Sequence, residues 1–320
     1  MLGALFALIS AASFGFNNAA MRRGVLTGGV LQAMVITVPI GVPLFALASL
    51  VFGGFDSLRT FSSETWLWMI GAGVIHFVIG RYGNYRATRA LGATLSAPIQ
   101  QMTVPISLGL AVIFLDETLT PLRFIGFVMI MVGPAIMMGK KGERAKSGFT
   151  PSYLEGTFWG MVCAIGYGAS PIFIAMGLGA ASSSLPDSLA GGLVSYLAAA
   201  VVVLILAMGA GGWKMMATLD PTAARWFLLS GVFVFISQMF RYMSLAVAPV
   251  SVVVPIQRLS AVFRILFAWL LNRDHEIINR RVLLGFAVSF GGAMALSLST
   301  EFVVALLPVE WQGWFSLSWP

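Results

Sequence analysis

The stretch Pro98-Ile99-Gln100-Gln101 returns later in the chain as Pro255-Ile256-Gln257-Arg258, each time inside an apolar run. A proline removes a backbone donor and can free a carbonyl one turn earlier, so Gln100 and Gln257 are placed to line a local opening. The second copy replaces Gln101 with Arg258, and Arg264 follows six residues on. Upstream, Gln238, Arg241 and Tyr242 are spaced i, i+3, i+4 and share one helix face, as do Arg81, Asn84 and Tyr85. A guanidinium is a permanent cation whose planar fork matches carboxylate or phosphate. An arginine at the centre of a membrane helix costs about 2.5–3.5 kcal/mol on insertion scales. All 12 acidic residues fall in loops or at helix ends, so Arg241, Arg258 and Arg264 find no carboxylate within their own runs. Backbone carbonyls, water, the interface by snorkelling, or an anionic ligand must satisfy them, and Arg258 is the deepest.

Other polar groups fall in the same runs. His76 is the one such group whose unperturbed pKa lies near neutrality, so it is the candidate to carry a coupling proton; the alternative is a neutral histidine bridging helices. Asn17 and Asn18, with Ser170 opposite Asn17 in the repeat described below, are substrate contacts or helix glue. Glu117 and Glu276 read as capping or solvated charges at helix boundaries, and Cys163 as packing. Nothing here composes an enzyme: there is no phosphate-binding Gly-Lys-Ser/Thr loop, and no acid–base pair can be drawn. With one cysteine and two histidines, neither an intrachain disulfide nor a zinc-type metal cluster is available, and no cofactor is implied.

These residues need elements that hold them in lipid. The 320-residue chain is 58% hydrophobic and 10% charged, with a mean hydropathy of +0.91. Soluble chains carry about 25% charged residues, so the solvent here is a bilayer. The formal charge of +7 then reads as loop charge that sets orientation, because no basic patch is interleaved with stacking aromatics as nucleic acid would require. Spanning helices need about 20 apolar residues. The sequence predicts ten, over 2–20, 30–52, 65–86, 92–114, 121–139, 154–177, 186–210, 223–245, 249–271 and 281–299. The first lacks a basic n-region and reads as a retained helix, not a cleaved leader. Residues 140–153 form a basic linker, and residues 300–320 a short interfacial tail.

The chain also repeats itself. Phe14-Gly15 corresponds to Tyr167-Gly168, Tyr85 to Tyr242, Glu117 to Glu276, Gly126-Phe127 to Gly285-Phe286 and Gly133 to Gly292. An odd number of helices per copy turns the second copy over. Loop charge agrees: Arg22, Arg23, Arg86, Arg89, Lys140, Lys141, Arg144, Lys146, Lys214, Arg225, Arg273, Arg280 and Arg281 follow odd-numbered helices, and only Arg59 and Arg123 follow even-numbered ones. The positive-inside rule places the odd loops in the cytoplasm and both termini outside. The expected fold is an all-α integral membrane protein with ten transmembrane helices in two inverted five-helix repeats, an arrangement typical of transporters.

The order of these motifs resembles the EamA family of the drug/metabolite transporter superfamily. The resemblance implies movement of small metabolites across a membrane, often export of amino acids and related compounds, by repeats over 1–139 and 154–299; relatives are often drawn with both termini in the cytoplasm, against the charge count. The expectation is a non-enzymatic, multi-pass carrier of the bacterial inner membrane that exports a small anionic or zwitterionic metabolite by alternating access. Arg258, Arg241, Gln100, Gln257, Tyr242, Gln101, Arg264, Asn17 and Tyr85 are its candidate substrate contacts. Its partners are the small-molecule substrate and membrane lipids, with a homo-oligomer left open and no nucleic acid. The rival readings are a lipid or lipid-linked headgroup flippase and a non-transporting membrane scaffold or sensor.

Overall fold

The computed structural model describes residues 2–115, 121–137, 148–179, 184–247, 256–257, 259–297 and 313. Regular structure among them is helical throughout. The helices are α1 (Leu2–Gly24), α2 (Val30–Thr37), α3 (Gly41–Phe52), α4 (Gly54–Thr60), α5 (Ser63–Gly73), α6 (Arg81–Gln100), α7 (Thr103–Leu115), α8 (Pro121–Met137), α9 (Tyr153–Gly179), α10 (Leu185–Gly209), α11 (Trp213–Ala217), α12 (Pro221–Val247), α13 (Ser260–Asn272) and α14 (Arg280–Ser297). A π-helical stretch, Val74–Gly80, joins α5 to α6. Among the described residues, four segments are long and apolar enough to cross a membrane: Val30–Phe52, Tyr153–Gly179, Leu185–Gly209 and Pro221–Ser244. Local chemistry sets the helix starts. Ser184 and Asp187 form a reciprocal capping box on α10. Asp220 accepts from Ala223 N at 2.9 Å, with Pro221 as the first residue of α12; that bond holds its carboxyl below the usual range.

The loop expected between residues 86 and 92 does not form. The helix runs to Leu91, and the chain reverses at a single residue, Gly92 (φ 84°, ψ 168°). This conformation is essentially confined to glycine. The two limbs of α6 then descend side by side along α9: Ala87 and Ile99 both pack at Gly160, and Leu91 at Gly156. Gln100 is thereby brought back level with Asn84, which a continuous helix would hold well over 20 Å away.

Two close approaches set the depth of the interior. A Cβ on Gly15 of α1 would lie 2.5 Å from Phe263 Cβ and 2.8 Å from Arg264 N, and one on Gly168 of α9 would lie 2.9 Å from Ile106 Cγ2. The first brings α13 onto α1, the second α7 onto α9. Along α12, Phe16 meets Phe233 at 4.3 Å and Ser10 donates to Ser237 O at 2.8 Å.

Residues from several segments gather at one end of the bundle. There Arg22 donates to Arg89 O and His275 O, Ser152 N donates to Ala90 O, and Gln32 Nε2 donates to Met215 O. At the far end of α3, Gly54 packs on Pro186 O, and along α3 Phe45 stacks on Tyr196.

Candidate functional site

Arg264 makes four hydrogen bonds in the interior. Its residue is 3% exposed. Nη1 donates to Gln100 Oε1 at 2.7 Å, and Nη2 reaches Asn18 Oδ1 (2.9 Å), Thr88 Oγ1 (3.1 Å) and Asn84 Oδ1 (3.3 Å). The acceptors also bond one another: Asn84 Nδ2 donates to Asn18 Oδ1 and Gln100 Nε2 donates to Asn84 Oδ1. Four chain segments build this cluster. The close approach at Gly15 brings in Arg264 and Asn18, and the reversal at Gly92 brings in Thr88, Asn84 and Gln100. Among the described residues all of Arg264's hydrogen-bond partners are neutral, and its Nε has none.

A second cationic cluster lies one turn away along α6. Arg81, 1% exposed, donates to Thr37 O at 3.1 Å and to Tyr196 Oη at 2.9 Å, and its guanidinium lies 4.8 Å from the Phe77 ring centroid. Tyr85 Oη donates to Thr37 Oγ1 at 3.0 Å. His76 stacks on Tyr167 at 4.3 Å, with neither ring nitrogen hydrogen-bonded among the described residues. Arg241, half-buried, makes a long 3.5 Å contact with Gln238 Oε1. Ion pairs among the described residues are Arg22–Glu276, Arg59–Asp56 and Arg86–Glu155. None of them involves Arg81, Arg241 or Arg264.

The expected site residues separate into groups. Gln100 and Arg264 touch directly, whereas Asn17 belongs to the α1–α12 seam, accepting from Ser230 Oγ at 2.7 Å. Tyr85 and Tyr242 are fully buried in the core near the Arg81 cluster, and Gln101 is buried at the turn between α6 and α7. Gln257 Nε2 has no partner among the described residues. Arg258, Pro255 and Glu117 lie outside the described residues, as do the basic linker positions Lys140 to Lys146. One expectation is corrected. Glu276 is a capping group, but it is not solvated: it is 5% exposed and bonded to Ala93 N and Thr94 N.

Asn18 was read with Asn17 as a substrate contact or helix glue. Several other interior partners were absent from the expected contacts; Asn84 and Arg81 carried a signal, since they lie on the Tyr85 stripe. Thr88 follows Asn84 by four residues, on the same face. Tyr196 carried none; it is a lone tyrosine in an apolar run.

Apolar helices of membrane-spanning length around a buried polar interior define an integral membrane protein. Residues 1–139 match the model of the EamA-like transporter family, so the resemblance read in the sequence is shown over that stretch. Members of that family are transporters, and the likeness of this chain to it is confined to that first stretch. A solved structure described only as "Crystal structure of protein" superposes with a TM-score of 0.50 at 14% identity, over 92% of this chain and 94% of that one. At that identity the likeness concerns the fold alone. No curated protein matches the chain.

Proposed function

We propose that the chain is a secondary carrier that moves a small anionic or zwitterionic metabolite outward across the bacterial inner membrane. The observation that carries this reading is Arg264, a buried cation held by four neutral acceptors, with Nε spare and no carboxylate paired to it among the described residues. Arg81 and Arg241 extend the positive interior. An interior this cationic favours an anion as its missing partner. In this reading Arg264, Arg258 and Arg241 bind the negative group, and Gln100, Gln257, Gln101, Tyr242, Tyr85 and Asn17 orient it or shape its surroundings.

Alternating access comes from rocking two inverted repeats, residues 1–139 and 154–299, around this site. Reciprocal packing supports the division: Gly15 of the first repeat meets Phe263 of the second, and Gly168 of the second meets Ile106 of the first. The gathering of Arg22, Arg89, Ser152, Met215 and His275 at one end supports a common face for the odd-numbered loops.

A thermal-shift screen of purified protein against anionic, zwitterionic and cationic metabolites tests the substrate class. A ligand at 100 times its Kd stabilises the bound state by about 2.7 kcal/mol. The reading expects stabilisation by members of the first two groups only; stabilisation by cations alone would overturn it.

A further inference from the structure

We propose that the buried Arg22–Glu276 pair is the gate that closes the Arg264 site toward the face of the basic loops. The proposal rests on the transport reading and assigns that same site its closure. Glu276 follows the 3-10 turn Arg273–His275. Its carboxylate accepts from Ala93 N at 2.7 Å and Thr94 N at 2.9 Å, the first amides after the reversal at Gly92. Such amides have no partner within their own helix and carry the positive end of its dipole.

Arg22, on the last turn of α1, serves the other limb. It donates to Thr88 O (3.4 Å) and Arg89 O (3.2 Å), among the last carbonyls before the turn, and to His275 O at 3.0 Å. Its Nε lies 3.3 Å from Glu276 Oε1, the two side chains are 1% and 0% exposed, and the Phe149 ring covers the guanidinium at 4.1 Å. One ion pair therefore ties the end of α1, both limbs of the hairpin and the segment before α14, joining residues from the two halves of the chain.

Its position makes this pair a gate. Arg22 is one turn beyond Asn18, and Thr88 is shared: its hydroxyl receives Arg264 and its carbonyl receives Arg22. The pair thus lies between Arg264 and the basic-loop end. Static stability does not explain the choice of residues, because a well-packed apolar plug of similar volume is often at least as stable as a buried ion pair. An ion pair differs in what it can become, since its halves separate into water as two solvated charges. An apolar plug would expose grease on opening.

The chain's single cysteine reports on the gate. Cys163 is buried against Gly83, the neighbour of Asn84, which itself accepts from Arg264. The full-length protein in sealed vesicles is treated, from one face at a time, with a membrane-impermeant anionic methanethiosulfonate. Glu276→Gln is expected to raise the rate of Cys163 modification from the basic-loop face at least about tenfold, equivalent to 1.4 kcal/mol in the closing equilibrium, without raising it from the opposite face. Arg22→Lys, which keeps the charge but loses the fork, should give an intermediate rate with the same sidedness. An unchanged rate in folded Glu276→Gln overturns the gate, as does equal acceleration from both faces, the mark of general loosening. If Glu276→Gln does not fold, Arg22→Lys carries the same test, with sided acceleration supporting the gate and an unchanged or two-sided rate overturning it. Modification requires no substrate, so a failure of the anion reading in binding assays leaves this result standing, and the reverse also holds.

Discussion

Arg264→Gln separates binding from folding, because the surrounding bonds predict its structural cost. Without the guanidinium, Asn18 Oδ1 keeps Asn84 Nδ2 as a donor, Asn84 Oδ1 keeps Gln100 Nε2, and Thr88 Oγ1 keeps Asn84 Oδ1 as an acceptor. Gln100 Oε1 is the acceptor most exposed to loss, and an orphaned buried acceptor costs about 1–3 kcal/mol. Against this, removing a buried cation relieves about 2.5–3.5 kcal/mol on the insertion scale, and the new glutamine amide can itself satisfy an acceptor. The terms oppose each other, so stability should fall by no more than about 1 kcal/mol. Binding has no such compensation. Losing charge-assisted bonds worth about 1.5–3 kcal/mol lowers anion affinity roughly 10- to 150-fold. The assay is a melting curve with and without a stabilising anion from the thermal-shift screen: the bare curve should hardly move, and the ligand-induced shift should shrink. A collapsed bare curve with undiminished anion affinity would refute the reasoning and make Arg264 a structural tether.

Gly92→Ala should destabilise by about 1–3 kcal/mol, because its backbone region excludes side chains and a Cβ there would meet Glu276 Oε2 at 2.7 Å; an unchanged melting temperature would contradict the hairpin. If His76 carries the coupling proton, His76→Gln should abolish the response to a pH gradient while substrate exchange continues. Undiminished gradient-driven transport assigns it instead to packing against Tyr167. The loop charges predict that a reporter active only in the cytoplasm is bright at Ser147 and dark at the C-terminus, and the reverse pattern would invert the orientation.

Helix positions were legible because apolar length and flanking Gly or Pro punctuate the chain. Residues 186–210 were expected helical and α10 spans Leu185–Gly209; residues 281–299 were expected and α14 spans Arg280–Ser297. Three features were not legible. The run Ala87-Thr88-Arg89-Ala90-Leu91 reads as the end of a span but is helix, because Arg22 donates to the Thr88 and Arg89 carbonyls and Ala87 packs on Gly160 of α9. The turn between α2 and α3, at residues 38–40, and the π stretch at Val74–Gly80 leave no periodic trace in an apolar run. For the site, local spacing identified the stripe of Arg81, Asn84 and Tyr85. It could not show that Gln100 folds back beside Asn84, nor that Arg264 meets Asn18. Those contacts depend on close approaches between distant segments. Arg22 read as a loop charge, and Glu276 as a capping or solvated charge at a helix boundary, for the same reason: their burial arises only when the two halves meet.

The central claim is that this membrane protein moves an anionic or zwitterionic solute through its arginine-lined interior. Counterflow in proteoliposomes tests it most directly. Vesicles loaded with an unlabelled anionic or zwitterionic metabolite that stabilises the protein should accumulate its labelled form transiently and saturably with the wild-type protein. With Arg264→Gln, the same folded protein should need a 10- to 150-fold higher concentration, following the affinity estimated above. Absence of counterflow for every stabilising anion and zwitterion, or equal counterflow with the variant, would contradict the account.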